Sequence, residues 1–263
     1  MTAAGTDLTG RHALVTGAGG GIGAAIAHAL GARGARVTLA GRRREPLVKV
    51  ASTLPEASAL ALDGFDVTDE AAIARGLAKA RAAFGPVDIL VNNAGEAPSA
   101  PFAKMDVGLW SRVIATDLTS VYLVTHAVLP DLKATGAKAR IVNVASTAGL
   151  RGYAYVSAYT AAKHGVIGLT RALALELAAT GMTVNAVCPA FTETPLLEAA
   201  IRNIVVKTGR SEAEARAEFA KGIPLGRLGR PEDVANAVLW LVSEATGFVT
   251  GEALSISGGE VMR

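Results

Sequence analysis

At 263 residues, with 51% hydrophobic and 19% charged side chains, the chain can bury a large core, which excludes a disordered polypeptide. Its net charge of +3 is small, and its visible basic cluster, Arg42-Arg43-Arg44, is too short for a nucleic-acid surface. The single cysteine, Cys188, excludes an internal disulfide and fits a reducing compartment.

The opening MTAAGTDLTGRHALV lacks the charged-then-apolar pattern of a secretion signal. No run of about 20 apolar residues without charge or dense glycine appears, so no membrane span is expected. A cytoplasmic location follows as the expectation. For this length one α/β domain over 1–263 is expected.

The first strand is predicted at HALVTG, and ALVTGAGGGIGAAIA carries it through a turn into a helix. Gly17, Gly21 and Gly23 fall where a backbone must turn tightly, approach a pyrophosphate and let helix pack on strand. Gly19 and Ile22 belong to the same turn, and the N–H groups of the helix start face the phosphates. The spacing is not G-x-G-x-x-G, and only the looser Gly19-x-Gly21-x-x-Ala24 matches. A turn with no ligand uses the same glycines, so that reading stays open.

The second strand, ARVTLAG, ends at Gly41 and is followed by Arg42. Folds that bind NAD put Asp or Glu here to take the ribose hydroxyls. Without that carboxylate a 2′-phosphate is not repelled, and a guanidinium can bind it in bidentate fashion. Arg42 therefore predicts NADP(H) over NAD(H), although Gly20 adds no second basic group.

Further on, DEAAIARGLAKARAAFG predicts a helix, and VDILVNNAG, ARIVNVAS and MTVNAVCP predict strands. Cys188 reads as a small core residue in the last of these. Tyr159 and Lys163, at i and i+4, share a face of the next helix, whose Val166, Leu169, Leu173 and Leu177 form an apolar stripe. Residues 190–227 are helical in composition and rich in charge; they read as a lid over a site or as a surface excursion. Pro231 opens a last helix with Val234, Val238 and Leu241 on one face. Strands alternating with helices predict a doubly wound parallel sheet with helices on both faces. His126 and His164 lack metal-ligand spacing, and no metal is expected.

In this order the motifs resemble the short-chain dehydrogenase/reductase family nearly end to end. TGAGGGIG is similar to its cofactor turn, and DVTD to its adenine-contacting segment, with Asp66 and Val67 in those roles. NNAG, with Asn93, Ala94 and Gly95, matches the motif that steadies the central sheet and lies against the cofactor ribose. Ser146, followed thirteen residues later by Tyr159 and then by Lys163, matches its catalytic spacing. VCPAFTET resembles the segment after the sixth strand, with Pro189, Thr192 and Thr194 at the cofactor and Thr194 on the nicotinamide carboxamide. GRPEDVANAVLWLVS and SGG look like its C-terminal pieces, and the branch most similar is that of the 3-ketoacyl-thioester and polyketide ketoreductases.

Two positions depart from the pattern. Ala190 stands where the family usually has Gly, and Asp117, in VIATDLTS, stands where many members carry a catalytic Asn. In the family the backbone carbonyl of that residue holds a water leading from the Lys to solvent. Asp117 is expected as a fourth catalytic residue in such a relay, and in ionised form it favours the Lys163 ammonium.

The resemblance implies a Rossmann-type sheet of about seven strands, a homotetramer, and hydride transfer between NADP(H) and a ketone or secondary alcohol. The Lys163 ammonium and an oxidised nicotinamide are expected to draw the Tyr159 phenol down from about 10. Tyr159 then acts as general acid or base and Ser146 binds the substrate oxygen, while Tyr159 and Lys163 are both expected to bind the cofactor, Lys163 at the nicotinamide ribose. Glu96, Tyr153, Phe191, Leu196 and Leu197 are candidates for the pocket wall. Arg202, Lys207, Arg210, Arg216 and Lys221 of the lid are candidates for the phosphates of a coenzyme A or carrier-protein thioester. Two rivals stay open: an NAD-dependent catabolic secondary-alcohol or hydroxyacyl-CoA dehydrogenase, and a non-catalytic dinucleotide-binding sensor or scaffold.

Overall fold

A computed structural model describes residues 7–262 of the chain. Among them, seven strands form one parallel sheet: β1 (His12–Thr16), β2 (Arg36–Ala40), β3 (Ala59–Leu62), β4 (Ile89–Asn92), β5 (Arg140–Val144), β6 (Thr183–Pro189) and β7 (Ala253–Ile256). Their order is β3-β2-β1-β4-β5-β6-β7. The direction of winding therefore reverses between β1 and β4, and the crevice beyond the carboxyl ends of these strands is where such sheets bind ligands.

The helices are α1 (Gly21–Gly31), α2 (Arg44–Ala51), α3 (Glu70–Phe84), α4 (Val107–Ile114), α5 (Ser120–Thr135), α6 (Ser157–Leu177), α7 (Pro195–Thr208), α8 (Glu212–Ala220) and α9 (Pro231–Val242). Ile26, Leu30, Leu47, Val234 and Val238 place α1, α2 and α9 against one face of the sheet. Leu77, Val124, Val128, Leu132 and Leu177 place α3, α5 and α6 against the other. Coverage on both sides is why β1, β4 and β5 are buried throughout and read as continuous apolar runs. Local signals agree with the packing: Asp69 caps α3 by accepting from the N–H groups of Ala71 and Ala72 at 2.8 and 3.1 Å.

Residues 107–138 form a helical run of 32 residues, apolar and long enough to cross a membrane by those criteria alone. The expectation from the sequence did not anticipate this run. Its Val121, Val124, Val128 and Leu132 are buried against the sheet and its Asp117 is fully buried, which is how a core helix is made.

Residues 190–227 contain α7 and α8, which enclose a small core of their own from Leu197, Ile201, Ala215, Ile223 and Leu228. Cys188 is buried in β6, as expected of a core residue.

Candidate active site

At the switch point β1 runs into the glycine turn. Gly17 adopts φ 66°, and a Cβ on Gly23 would collide with the Gly17 carbonyl oxygen and lie 2.5 Å from Asn93 Nδ2. Only hydrogen fits there, so α1 starts hard against the end of β4. The Asn93 side chain donates to the carbonyls of Thr16 and Gly17 at 2.9 and 3.3 Å. In return the Thr16 hydroxyl accepts from the N–H groups of Asn93 and Ala94 at 2.9 and 3.0 Å. Below them Asn92 donates to Asn143 at 2.9 Å and to Thr125 at 3.0 Å, and Asn143 donates to Thr170 at 2.9 Å. This buried net ties β4 to β5, α5 and α6. Thr16 and Asn143 are positioning residues that the motif reading passed over, although each adjoins a motif it singled out.

No acidic side chain stands in the first turn of α1, and no side chain caps it. Its N–H groups and dipole are thus available to an anion. Gly19 lies against Pro46, and Gly21 faces Thr194. Ile22 packs against the core beside Gly23.

Beyond β2, Arg44 pairs with Asp63 at 3.3 Å. Arg42 is exposed and, among the described residues, engaged in no ion pair. Asp66 accepts from the Thr68 N–H and hydroxyl at 2.9 and 2.7 Å, which hold its carboxyl below the usual range. Val67 beside it is buried.

The candidate catalytic side chains gather at the end of β5 and the start of α6. Ser146, just past β5, accepts from the Ala148 N–H at 3.1 Å. On α6, Lys163 is only 4% exposed; its ammonium donates to the Val144 carbonyl at 3.1 Å and lies 5.5 Å from the centre of the Tyr159 ring. Asp117 Oδ1 stands 3.4 Å from the same nitrogen.

Asp117 sits in a π-helical turn, Ala115–Thr119, between α4 and α5. Such a turn carries a wider ring of backbone and often marks a functional position. The carboxylate is fully buried, accepts from the Glu96 N–H at 3.2 Å through both oxygens, and lies against Gly95, where a Cβ would be 2.5 Å from Oδ1. The side chain of Asp117 is therefore what meets Lys163, beside whatever its carbonyl does.

In the protein alone, opposing effects act on Tyr159. Burial pushes the Tyr159 phenol above its ordinary value; Lys163 pulls it down, Asp117 pushes it up again, and the Ser146 hydrogen bond pulls it down. The Lys163 ammonium, one of the two positive charges expected to lower the phenol, is opposed here by burial and by a carboxylate. Burial alone would lower Lys163, yet Asp117 and then Tyr159 outweigh it and keep the ammonium. Asp117 in turn is raised by burial, against Lys163 and the Glu96 N–H. The Asp117–Lys163 pair is close to neutral overall, so lowering the phenol requires a further positive charge.

Across the crevice Pro189 ends β6, the Thr192 hydroxyl donates to the Ala190 carbonyl at 2.9 Å, and Thr194 caps α7 by accepting from the Leu197 N–H at 3.3 Å. Thr194 thus stands at the glycine turn. Of the candidate pocket residues, Leu197 is 6% exposed inside the α7–α8 core, which removes it from the wall, whereas Leu196 is exposed. Glu96 accepts from Arg112 at 2.8 Å, and Tyr153 packs edge-on against Phe191 with ring centres 6.1 Å apart.

Arg216 of the lid is already engaged by carboxylates. It donates to both Glu198 oxygens at 2.7 and 2.8 Å and to Glu212 at 3.3 Å, and so braces α7 to α8. Arg202 and Arg216 both line a cavity of about 570 Å³ with Thr194, Pro195 and Glu198, while Lys207, Arg210 and Lys221 are exposed. His126 stacks near Tyr122 and His164 bonds the Thr160 carbonyl at 2.9 Å.

The short chain dehydrogenase family profile matches residues 11–204, and the chain belongs to that family. It is 45% identical over 253 residues to a ketoacyl reductase attributed to the granaticin polyketide synthase of Streptomyces violaceoruber, covering 94% of this chain and 92% of that one. It is also 45% identical over 251 residues to the cis-4-hydroxycyclohexanecarboxylate dehydrogenase of Sinomonas cyclohexanicum, covering 95% and 96%. Among solved structures it resembles a tryptophan variant of actinorhodin polyketide ketoreductase with NADPH: the TM-score is 0.88 at 40% identity, covering 95% of this chain and 97% of that one.

Proposed function

We propose that the chain is an NADP(H)-dependent oxidoreductase that interconverts a ketone and a secondary alcohol, with Ser146, Tyr159, Lys163 and Asp117 as its catalytic set. The observation that carries this reading is the buried run from Asp117 to Lys163 to Tyr159, reaching Ser146 beside the switch-point crevice.

The residues fit a dinucleotide. Gly17, Gly19, Gly21, Ile22 and Gly23 present the uncapped start of α1 to the pyrophosphate. Arg42 takes the 2′-phosphate, Asp66 and Val67 the adenine, and Asn93, Ala94, Gly95 and Lys163 the nicotinamide ribose. Pro189, Thr192 and Thr194 close the far side. When bound, the nicotinamide supplies the hydride.

In reduction the Ser146 hydroxyl donates to the carbonyl oxygen as charge develops on it. Tyr159 gives that oxygen its proton. Lys163 stabilises the phenolate that remains, and Asp117 keeps Lys163 charged while it does so. In oxidation the same proton returns to Tyr159.

The two ketoreductase relatives support a 3-oxoacyl thioester or polyketide-like ketone. The cyclic-alcohol dehydrogenase, equally similar, favours a second reading as a catabolic secondary-alcohol dehydrogenase. A panel of ketones, thioesters and alcohols followed by nicotinamide absorbance separates them. NADPH is expected to give the higher kcat/KM, and Arg42→Ala to raise the KM for NADPH by about 10- to 100-fold with little change for NADH. A preference for NADH in the native chain would overturn the role of Arg42. The thioester proposal fails if a coenzyme A ester is turned over no better than its small non-thioester analogue.

We further propose that residues 190–227 act as a lid and that the chain is a cytoplasmic homotetramer. Buried Cys188 is compatible with the cytoplasm. Exposed Tyr122, Leu175, Trp240 and Phe248 are apolar surface that assembly would cover. Light scattering should give four times the 26.7 kDa of one chain; a single-chain mass would contradict the tetramer.

A further inference from the structure

From Thr147, next to Ser146, hydrogen bonds lead through Tyr153 to a second buried carboxylate, which the reaction above does not use. Glu260 follows β7, and its side chain is only 4% exposed. Its Oε1 lies 2.7 Å from the Tyr153 hydroxyl and accepts from Arg151 Nη2 at 3.0 Å. The Tyr153 hydroxyl also lies 2.8 Å from Thr147 Oγ1. A phenol has one proton and an ionised carboxylate only accepts, so the direction of this chain is determined. Thr147 donates to Tyr153, and Tyr153 donates to Glu260. Burial, and then the Glu260 bond against that of Thr147, keep the Tyr153 phenol above its ordinary range and hence protonated.

The cluster is anchored at each end. The Glu260 N–H donates to the Ser257 carbonyl at 3.1 Å, and the Val261 N–H donates to the Ser257 hydroxyl at 3.2 Å, so the C-terminal turn has its own support. The Arg151 guanidinium lies 4.6 Å from the centre of the Tyr153 ring, on its face. Farther along the same loop Tyr155 is held at φ 67°, a conformation rare for a bulky residue, and its carbonyl accepts from the Ala100 N–H at 2.8 Å. The segment between Ser146 and Tyr159 is thus fastened from two sides, by Glu260 and by the strand-end loop after β4.

We propose that Glu260 is a positioning residue: it clamps Tyr153 and Arg151, and so fixes both Thr147 beside Ser146 and the Tyr153–Phe191 wall of the substrate pocket. This rests on Ser146 and Tyr159 being the reacting pair. Removing the carboxylate leaves a half-buried phenol and an exposed guanidinium without that acceptor, and the loop relaxes while the glycine turn is untouched.

The test compares Glu260→Ala, Glu260→Gln and Tyr153→Phe, with Tyr159→Phe run beside them. Glutamine keeps the shape and the oxygen to which Tyr153 donates. Glu260→Ala should raise KM for the ketone about tenfold while kcat and KM for NADPH stay within about twofold, and Glu260→Gln should restore most of the loss. Tyr153→Phe should reproduce the alanine effect, and the double variant should be no worse than either. An unchanged KM for the ketone, or an equal rise in KM for NADPH, would overturn the clamp.

A measurement that needs no turnover is amide exchange over residues 147–156 in the NADPH complex. It should quicken in Glu260→Ala and not in Glu260→Gln; equal protection in all three proteins overturns the proposal. If the native chain reduces no ketone, or Tyr159→Phe loses nothing, the reading of the reaction has failed, and amide exchange still judges the clamp alone.

Discussion

Replacing Tyr159 with Phe should lower kcat for ketone reduction by about 10²- to 10⁴-fold, the usual contribution of one positioned acid. The substitution keeps the ring, its contacts with the α4–α6 cluster and the cation beneath it, and removes only the hydroxyl. Affinity for NADPH should change little, because Lys163 keeps its bonds to the Val144 carbonyl and Asp117. Loss of kcat without loss of cofactor binding is the signature of an interaction made in the transition state. Undiminished activity in Tyr159→Phe would remove the acid from the mechanism. It would also revive the reading of a dinucleotide-binding scaffold.

The second large effect concerns Asp117. Its carboxylate opposes ionisation of Tyr159 while it supports the ammonium of Lys163. Asp117→Asn keeps the shape, and the amide oxygen can still accept from the Glu96 N–H. What disappears is the negative charge. That carboxylate pushes the Tyr159 phenol upward through space, so losing its charge should be felt there. A negative neighbour disfavours phenolate, so its removal lowers the phenol's pKa. Reduction needs the protonated phenol, and its decline at high pH should begin earlier. Oxidation needs the phenolate, and its rise should also begin at lower pH. Both limbs should move down by about one pH unit, equivalent to ~1.4 kcal/mol. Profiles of kcat/KM for both directions, native against variant, test this. An unmoved profile would show that Asp117 does not act on Tyr159. A shift to higher pH would mean that Lys163 loses its proton once the carboxylate is gone.

What can be read without coordinates is local. Tyr159 and Lys163 are one helical turn apart, so helix geometry puts them on one face, and the family resemblance adds Ser146 at the end of the strand before them. The glycine turn and Arg42 follow the same logic, each lying at the end of one strand. β3 and β7 are four-residue runs, ALAL and ALSI, with no alternation to reveal them. The inward aim of Asp117 depends on a π-helical turn that the apolar periodicity of α4 and α5 does not display. That Arg216 of the lid also braces α7 to α8 shows only once Glu198, 18 residues away, is found beside it. Glu260 is the extreme case, since its partners Tyr153 and Arg151 are 107 and 109 residues distant. The direction in which Tyr159 is shifted is a difference between opposing buried charges, which only their relative placement decides.

Proton exchange at Tyr159 is most directly followed by ultraviolet difference titration of the native chain against Tyr159→Phe, with and without NADP⁺. The phenolate signal assigned to residue 159 should appear above the ordinary tyrosine range in the protein alone and move to distinctly lower pH when the oxidised cofactor binds. A signal at the same pH in both states, or none that the substitution removes, would contradict the assignment of Tyr159 as the acid and base.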